Sequence, residues 1–151
     1  MLLEPSLVGL LARRSRRDNI VKALRRCVLA QQESLRAQDF VGVITGLNDF
    51  HRELVKFTDN RALSLLAGIL GGIPARVYVH FLATGSPAGQ RALRRRSEQS
   101  VAAHERLVNL IDVGDGDRAE AFWRSYMQET ASFLVSTGMA PLRVEVTNTP
   151  Y

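Results

Sequence analysis

Cysteine is nearly absent from this chain of 151 residues: Cys27 is the single one. One thiol excludes an internal disulfide framework and fits a reducing compartment. Lysine is almost as scarce, with Lys22 and Lys56 standing against 18 arginines. Long apolar runs are missing too. The longest mostly apolar stretch without a charge, Ala62 to Ile73, is too short and too glycine-rich to span a bilayer, which takes about 20 residues. Nor does a secretory signal open the chain. Glu4 and Pro5 interrupt the first apolar stretch, and the arginines follow it rather than precede it. These absences lead us to expect a soluble, cytoplasmic protein with no membrane partner. There is also no P-loop, dinucleotide fingerprint, HExxH or Ser/His/Asp signature, and an enzyme is not expected.

What is present is an ordinary globular composition, 46% hydrophobic and 23% charged, at the length of about one domain. The net charge is +5 and the pI about 10.1, which raises the question of nucleic acid. The surplus is regional. Residues 1–40 carry eight basic and four acidic groups, residues 41–96 eight and three, and residues 97–151 four and eight. The densest clusters are Arg13, Arg14, Arg16 and Arg17, then Arg91, Arg94, Arg95 and Arg96. They read either as a surface for phosphate or another anion, or as solvated helix faces with local acidic partners. No aromatics interleave them as a base-stacking platform would require.

The periodicity is helical nearly throughout, and no strand pairing or repeat is evident. Glu4–Pro5 opens a short helix with Leu7, Leu10 and Leu11 as its apolar stripe. Asp18 and Asn19 are expected to cap a second helix over about 19–37, with Ile20, Leu24, Cys27, Val28 and Leu35 inward. Asp39 caps a third over about 40–58, facing Val43, Ile44, Leu47, His51, Leu54 and Val55 inward. Asp59–Asn60 starts a fourth over about 61–83, kinked by Gly71, Gly72 and Pro74. The Gly85–Ser86–Pro87 loop precedes a fifth helix over about 88–112. A Gly114–Asp115–Gly116–Asp117 turn leads into a sixth over about 118–136, ended by Gly138. The expected fold is all-α, an antiparallel bundle of about six helices over residues 1–138, with a tail over 139–151.

His51 lies on the apolar stripe of the third helix, and His104 lies in register with Val101, Leu107 and Val108 on the fifth. Two inward imidazoles from different helices can converge in a bundle core, where helical proteins build metal and ligand sites. Each can equally be a hydrogen-bonded core histidine. His80, among Val77, Val79 and Phe81, has no assigned role.

Several blocks resemble the FCD domain, the C-terminal effector-binding part of FadR-type regulators of the GntR family. They are Leu3–Glu4–Pro5 with Leu11–Ala12; Asp39–Phe40 to Phe50–His51–Arg52–Glu53–Leu54; Asn60–Arg61–Ala62–Leu63; and Ala103–His104–Glu105–Arg106–Leu107 followed by Gly114–Asp115 and Ala119. Together they cover about residues 2 to 136 in family order. The resemblance implies a homodimeric all-α bundle with a central pocket for a small organic acid. It also implies, in many members, a divalent metal held by one Asp and three His. An Asp and a His at i, i+4 share one helix face, and imidazole with carboxylate suits zinc, nickel or manganese.

This chain departs from that pattern. The Asp position falls on Leu47 and the last His position on Tyr126, which leaves His51 and His104 as the metal ligands. Asn48 and Asp49 flank the lost Asp, but a shift of one or two residues rotates a side chain by about 100° or 200°. We therefore expect the metal site to be lost or weak. The expected effector-binding residues are His51, His104, Tyr126, Asn48 and Arg96, the last placed to pair with an anionic group. Loss of the Asp charge would suit a directly bound anion. The winged helix-turn-helix of such regulators has no counterpart here, so DNA contact is expected only through a missing N-terminal domain. Rival readings are a stand-alone nucleic-acid or partner-binding module using the arginine clusters, a metal-dependent enzyme, and a degenerate fold kept for dimerisation.

Overall fold

The computed structural model describes residues 4–62 and 76–137. All regular structure among them is helical: α1 (Glu4–Ala12), α2 (Asp18–Arg36), α3 (Phe40–Lys56), α4 (residues 76–84), α5 (Pro87–Asp112) and α6 (Gly116–Ser136). The fourth helix expected from sequence is helical at 61–62 and 76–84; the expected kink at Gly71, Gly72 and Pro74 lies outside the described residues, as do Gly138 and the tail.

Two tight corners set the layout. After α2 the chain turns through Ala37, Gln38 and Asp39. Asp39 N–H reaches back to the Ser34 carbonyl (2.9 Å) and Gln38 N–H to that of Leu35 (3.0 Å). After α5 the same pattern recurs, from Asp115 to Leu110 (3.2 Å) and from Gly114 to Ile111 (3.0 Å). Both are Schellman motifs, whose left-handed residues are Gln38 (φ 57°) and Gly114 (φ 79°). In each, the residue that closes one helix caps the next. Asp39 Oδ1 accepts from Gly42 N–H (2.9 Å), and Asp115 Oδ1 accepts from Arg118 N–H (3.1 Å). Ser86 caps α5 by accepting from Gly89 N–H (3.2 Å), with Pro87 in its first turn.

The helix α2 packs along α3 and α5, while α1 lies on α6. The core they share runs from Val8 and Leu11 through Leu24, Phe50 and Leu54 to Leu107, Ile111 and Trp123. Three expectations are corrected here. Leu10 is 60% exposed, and α1 instead buries Pro5, Val8, Leu11 and Ala12. Past Glu4 and Ser6 that helix is apolar on every side, so the contact with α6, not periodicity, selects its inner face. The N-cap of α2 is Arg17, without a side-chain cap bond; Asp18 lies in the first turn, where its charge still favours the helix dipole. Cys27, Leu35, Leu47 and His51 are half-buried at the margin of the stripes rather than central.

The first arginine cluster is engaged within the molecule. Arg13 pairs with Asp117, Arg14 donates to the Phe57 carbonyl (2.8 Å), and Arg17 donates to the Asp112 carbonyl (2.9 Å). The Arg17 contact covers one of the open carbonyls at the end of α5.

Candidate functional site

The two histidines meet. His51, on the inner side of α3, and His104, in the middle of α5, have ring centroids 5.3 Å apart in an edge arrangement. Trp123 of α6 lies 5.5 Å from each. Phe50 stacks on His104 at 4.0 Å, and Tyr126 stacks on Trp123 at 4.7 Å, one helical turn away on the same face. Phe50, His104 and Trp123 are wholly buried.

Polar groups fix how the two imidazoles sit. The Gly46 carbonyl can only accept, and Gln31 Nε2 donates to it at 2.8 Å. Gln31 Oε1 therefore faces His104 Nδ1, 3.2 Å away, and must accept a proton from it. Burial, with the His51 charge adding, pushes His104 well below its ordinary value. His104 is thus a neutral imidazole whose Nε2 carries a lone pair.

His51 has a different partner. Its Nδ1 lies 2.7 Å from Oε1 of Glu4, which opens α1 and is only 3% exposed. Burial pushes His51 down, but the charge and hydrogen bond of Glu4 push it up further, and the net shift is upward. The N-terminal position of Glu4 is also favourable to a carboxylate through the helix dipole.

Arg96 lies beside this group, with 11% of its side chain exposed. Its guanidinium stands over the Tyr126 ring at 5.3 Å and donates to Thr130 Oγ1 at 2.5 Å. Tyr78 of α4 is near both Tyr126 and Arg96. Burial, with Tyr126 adding and Arg96 opposing, pushes its phenol up to about 12. Burial likewise raises Tyr126, against the hydrogen bonds and charge of Ser100, Arg96 and Thr130. Both phenols therefore stay protonated at neutral pH and can donate. A groove of about 450 Å³ between α5 and α6 reaches Arg96 and Tyr126 from outside.

Among the described residues, four buried polar atoms have no hydrogen-bond partner: Glu4 Oε2, His104 Nε2, Trp123 Nε1 and Arg96 Nε. Left bare, each costs about 1–3 kcal/mol. The first three alone would offset a large share of a domain's stability of ~5–15 kcal/mol. A buried polar set of this kind fits a site that takes a polar occupant.

Residues 1–129 match the family model described as the FCD domain. This chain belongs to the FCD family. No curated protein and no solved structure matches it significantly. FCD domains are the regulatory, effector-binding and dimerisation parts of GntR-family transcription regulators. The all-α fold is the one this family has, and among the described residues of this FCD domain no helix is long and apolar enough to cross a membrane.

Some FCD domains hold a metal, but the donors here do not suit one. Glu4, the one carboxylate beside the histidines among the described residues, is engaged by His51. The Trp123 N–H, a donor that a cation repels, lies within the same group. Among the described residues, no three His, Cys, Asp or Glu side chains gather so as to hold a cation.

Of the residues expected from sequence, His51, His104, Tyr126 and Arg96 are brought together. Asn48 is half-buried on α3. Glu4, Gln31, Trp123 and Tyr78 were not anticipated. Gln31 carried a signal: it falls three residues after Val28 and seven after Leu24 on the apolar stripe of α2.

Proposed function

We propose that this FCD domain binds a small organic acid at the group formed by Glu4, His51, His104, Trp123, Tyr126 and Arg96. The bound acid would shift the population between dimer arrangements that do and do not fit DNA through a winged helix-turn-helix outside this chain. The observation that carries this reading is the set of buried, unpartnered polar atoms beside two convergent histidines and a nearly buried arginine. We assign the carboxylate to Arg96 and the protonated phenols of Tyr78 and Tyr126, and the binding occurs without a metal.

The test is a thermal-shift screen of this chain against small carboxylic acids, with sedimentation to read its oligomeric state. A ligand at a hundred times its Kd adds about 2.7 kcal/mol, or roughly 5–10 °C in Tm at this size. Arg96→Ala and His104→Phe are expected to abolish the shift. A shift that survives both substitutions, or no shift with any acid, would sink the reading.

The rival use of the arginine clusters finds less support. Three of the first four arginines bond within the molecule, and Arg94 stacks on Phe40. Duplex binding by this chain that weakens steeply with salt would favour the rival instead.

A further inference from the structure

The unpartnered atoms beside the histidines specify the part of the ligand that reaches them. Glu4 Oε2 can only accept. His104 Nε2 can also only accept, because the Gly46–Gln31 relay places the ring proton on Nδ1. Trp123 Nε1 can only donate. All three are buried without a partner among the described residues, and their side chains belong to α1, α5 and α6. His51 links them, bonded to Glu4 and within 5.5 Å of the other two rings. An occupant that satisfies the set must offer two donors and one acceptor.

A carboxylate fails this requirement. It has no proton to give and would set its negative oxygens against Glu4. A lone ammonium fails as well, because it cannot accept from the indole. A vicinal diol meets it, since each hydroxyl brings one donor and two lone pairs, and so does a primary carboxamide.

We propose that the effector places a neutral, doubly donating group, a vicinal diol or a primary carboxamide, against Glu4, His104 and Trp123, while its carboxylate stays at Arg96. The ligand is then a small polyhydroxylated acid or an acid amide rather than a plain carboxylic acid. This rests on the effector reading above and narrows it. Glu4, at the start of the first helix, becomes the residue that selects against an anionic group at the histidine end.

Trp123 is the only tryptophan in the chain, so its emission reports on the site directly. The experiment titrates the intact chain with three acids of similar length: threonate, succinamate and butanoate. Threonate or succinamate is expected to change Trp123 emission and to bind at least about a hundredfold more tightly than butanoate, because a site built to hydrogen-bond rejects the analogue without those groups. The member of the pair that binds identifies the diol or the amide as the source. In Glu4→Gln, whose fold is checked by circular dichroism, the preference over butanoate is expected to fall at least tenfold. Butanoate binding as tightly as threonate and succinamate would overturn this inference and leave the effector reading standing. Trp123 emission unmoved by all three acids would also overturn it, with the thermal-shift screen deciding separately whether the effector reading survives.

Discussion

Replacing Glu4 by Gln keeps the shape of a buried side chain and removes its charge. In the native protein His51 Nδ1 sits 2.7 Å from a carboxylate that is 3% exposed. A hydrogen bond to a charged group is worth about 1.5–3 kcal/mol and a neutral one about 0.5–1.5, so the substitution should cost about 1–2 kcal/mol. At this chain length each kcal/mol lowers Tm by roughly 2–4 °C, a fall of ~2–8 °C. The loss should depend on pH. Glu4 raises His51 above its unfolded value, near 6.5. The contribution is therefore complete below pH 6.5 and is lost as pH rises through the raised folded value. In Glu4→Gln only burial acts strongly, and His51 should titrate below 6.5 instead. Urea melts at pH 5.5, 7 and 9, with the His51 ring protons followed by NMR, read both effects. A His51 titration unchanged by the substitution, or a stability difference that does not shrink towards pH 9, would refute the account of the pair.

Further outcomes follow from neighbouring groups. His104 is held well below its ordinary value, so its contribution is present above about pH 6.5 and is lost as pH falls through the lowered folded value. His104→Phe should flatten that acid limb in urea melts, yet lower stability at pH 7.5 by about 1–3 kcal/mol, since Gln31 Oε1 loses its donor. Gly114→Ala should cost about 1–2 kcal/mol in the same assay, because φ of 79° is strained for any residue with a Cβ. Dialysis against EDTA should leave Tm unchanged, with metal well below one equivalent by elemental analysis. An equimolar metal ligated by His51 and His104 would contradict the mismatch of donors described above.

Much of the layout is local and was legible. Asp39 caps where its position before an apolar periodic segment says it should, because a cap needs only a side chain and the three residues that follow it. Helical register carries His104 into the core with Val101 and Leu107, and it sets His51, whose side chain is 24% exposed, beside Phe50 and Leu54 at the core's edge. The order and spacing of the motifs sufficed to place the chain in its family. What periodicity left open was any choice among nearly equivalent faces. Leu10 points to solvent, since past Ser6 α1 is apolar on every side and only the contact with α6 distinguishes one side from another.

The amino-acid order thus determines the helices, the Asp39 cap and the helix faces that carry the two histidines, all of which depend on neighbours within one or two turns. The protonation of those histidines was decided by folding alone. Glu4 precedes His51 by 47 residues and Gln31 precedes His104 by 73. No local pattern encodes those separations. Packing α1 against α3 sets a carboxylate on one imidazole, and packing α2 against α5 sets an amide on the other. Two residues of one type thereby acquire opposite shifts, because the charged and neutral forms of each are stabilised by partners that only tertiary structure brings near.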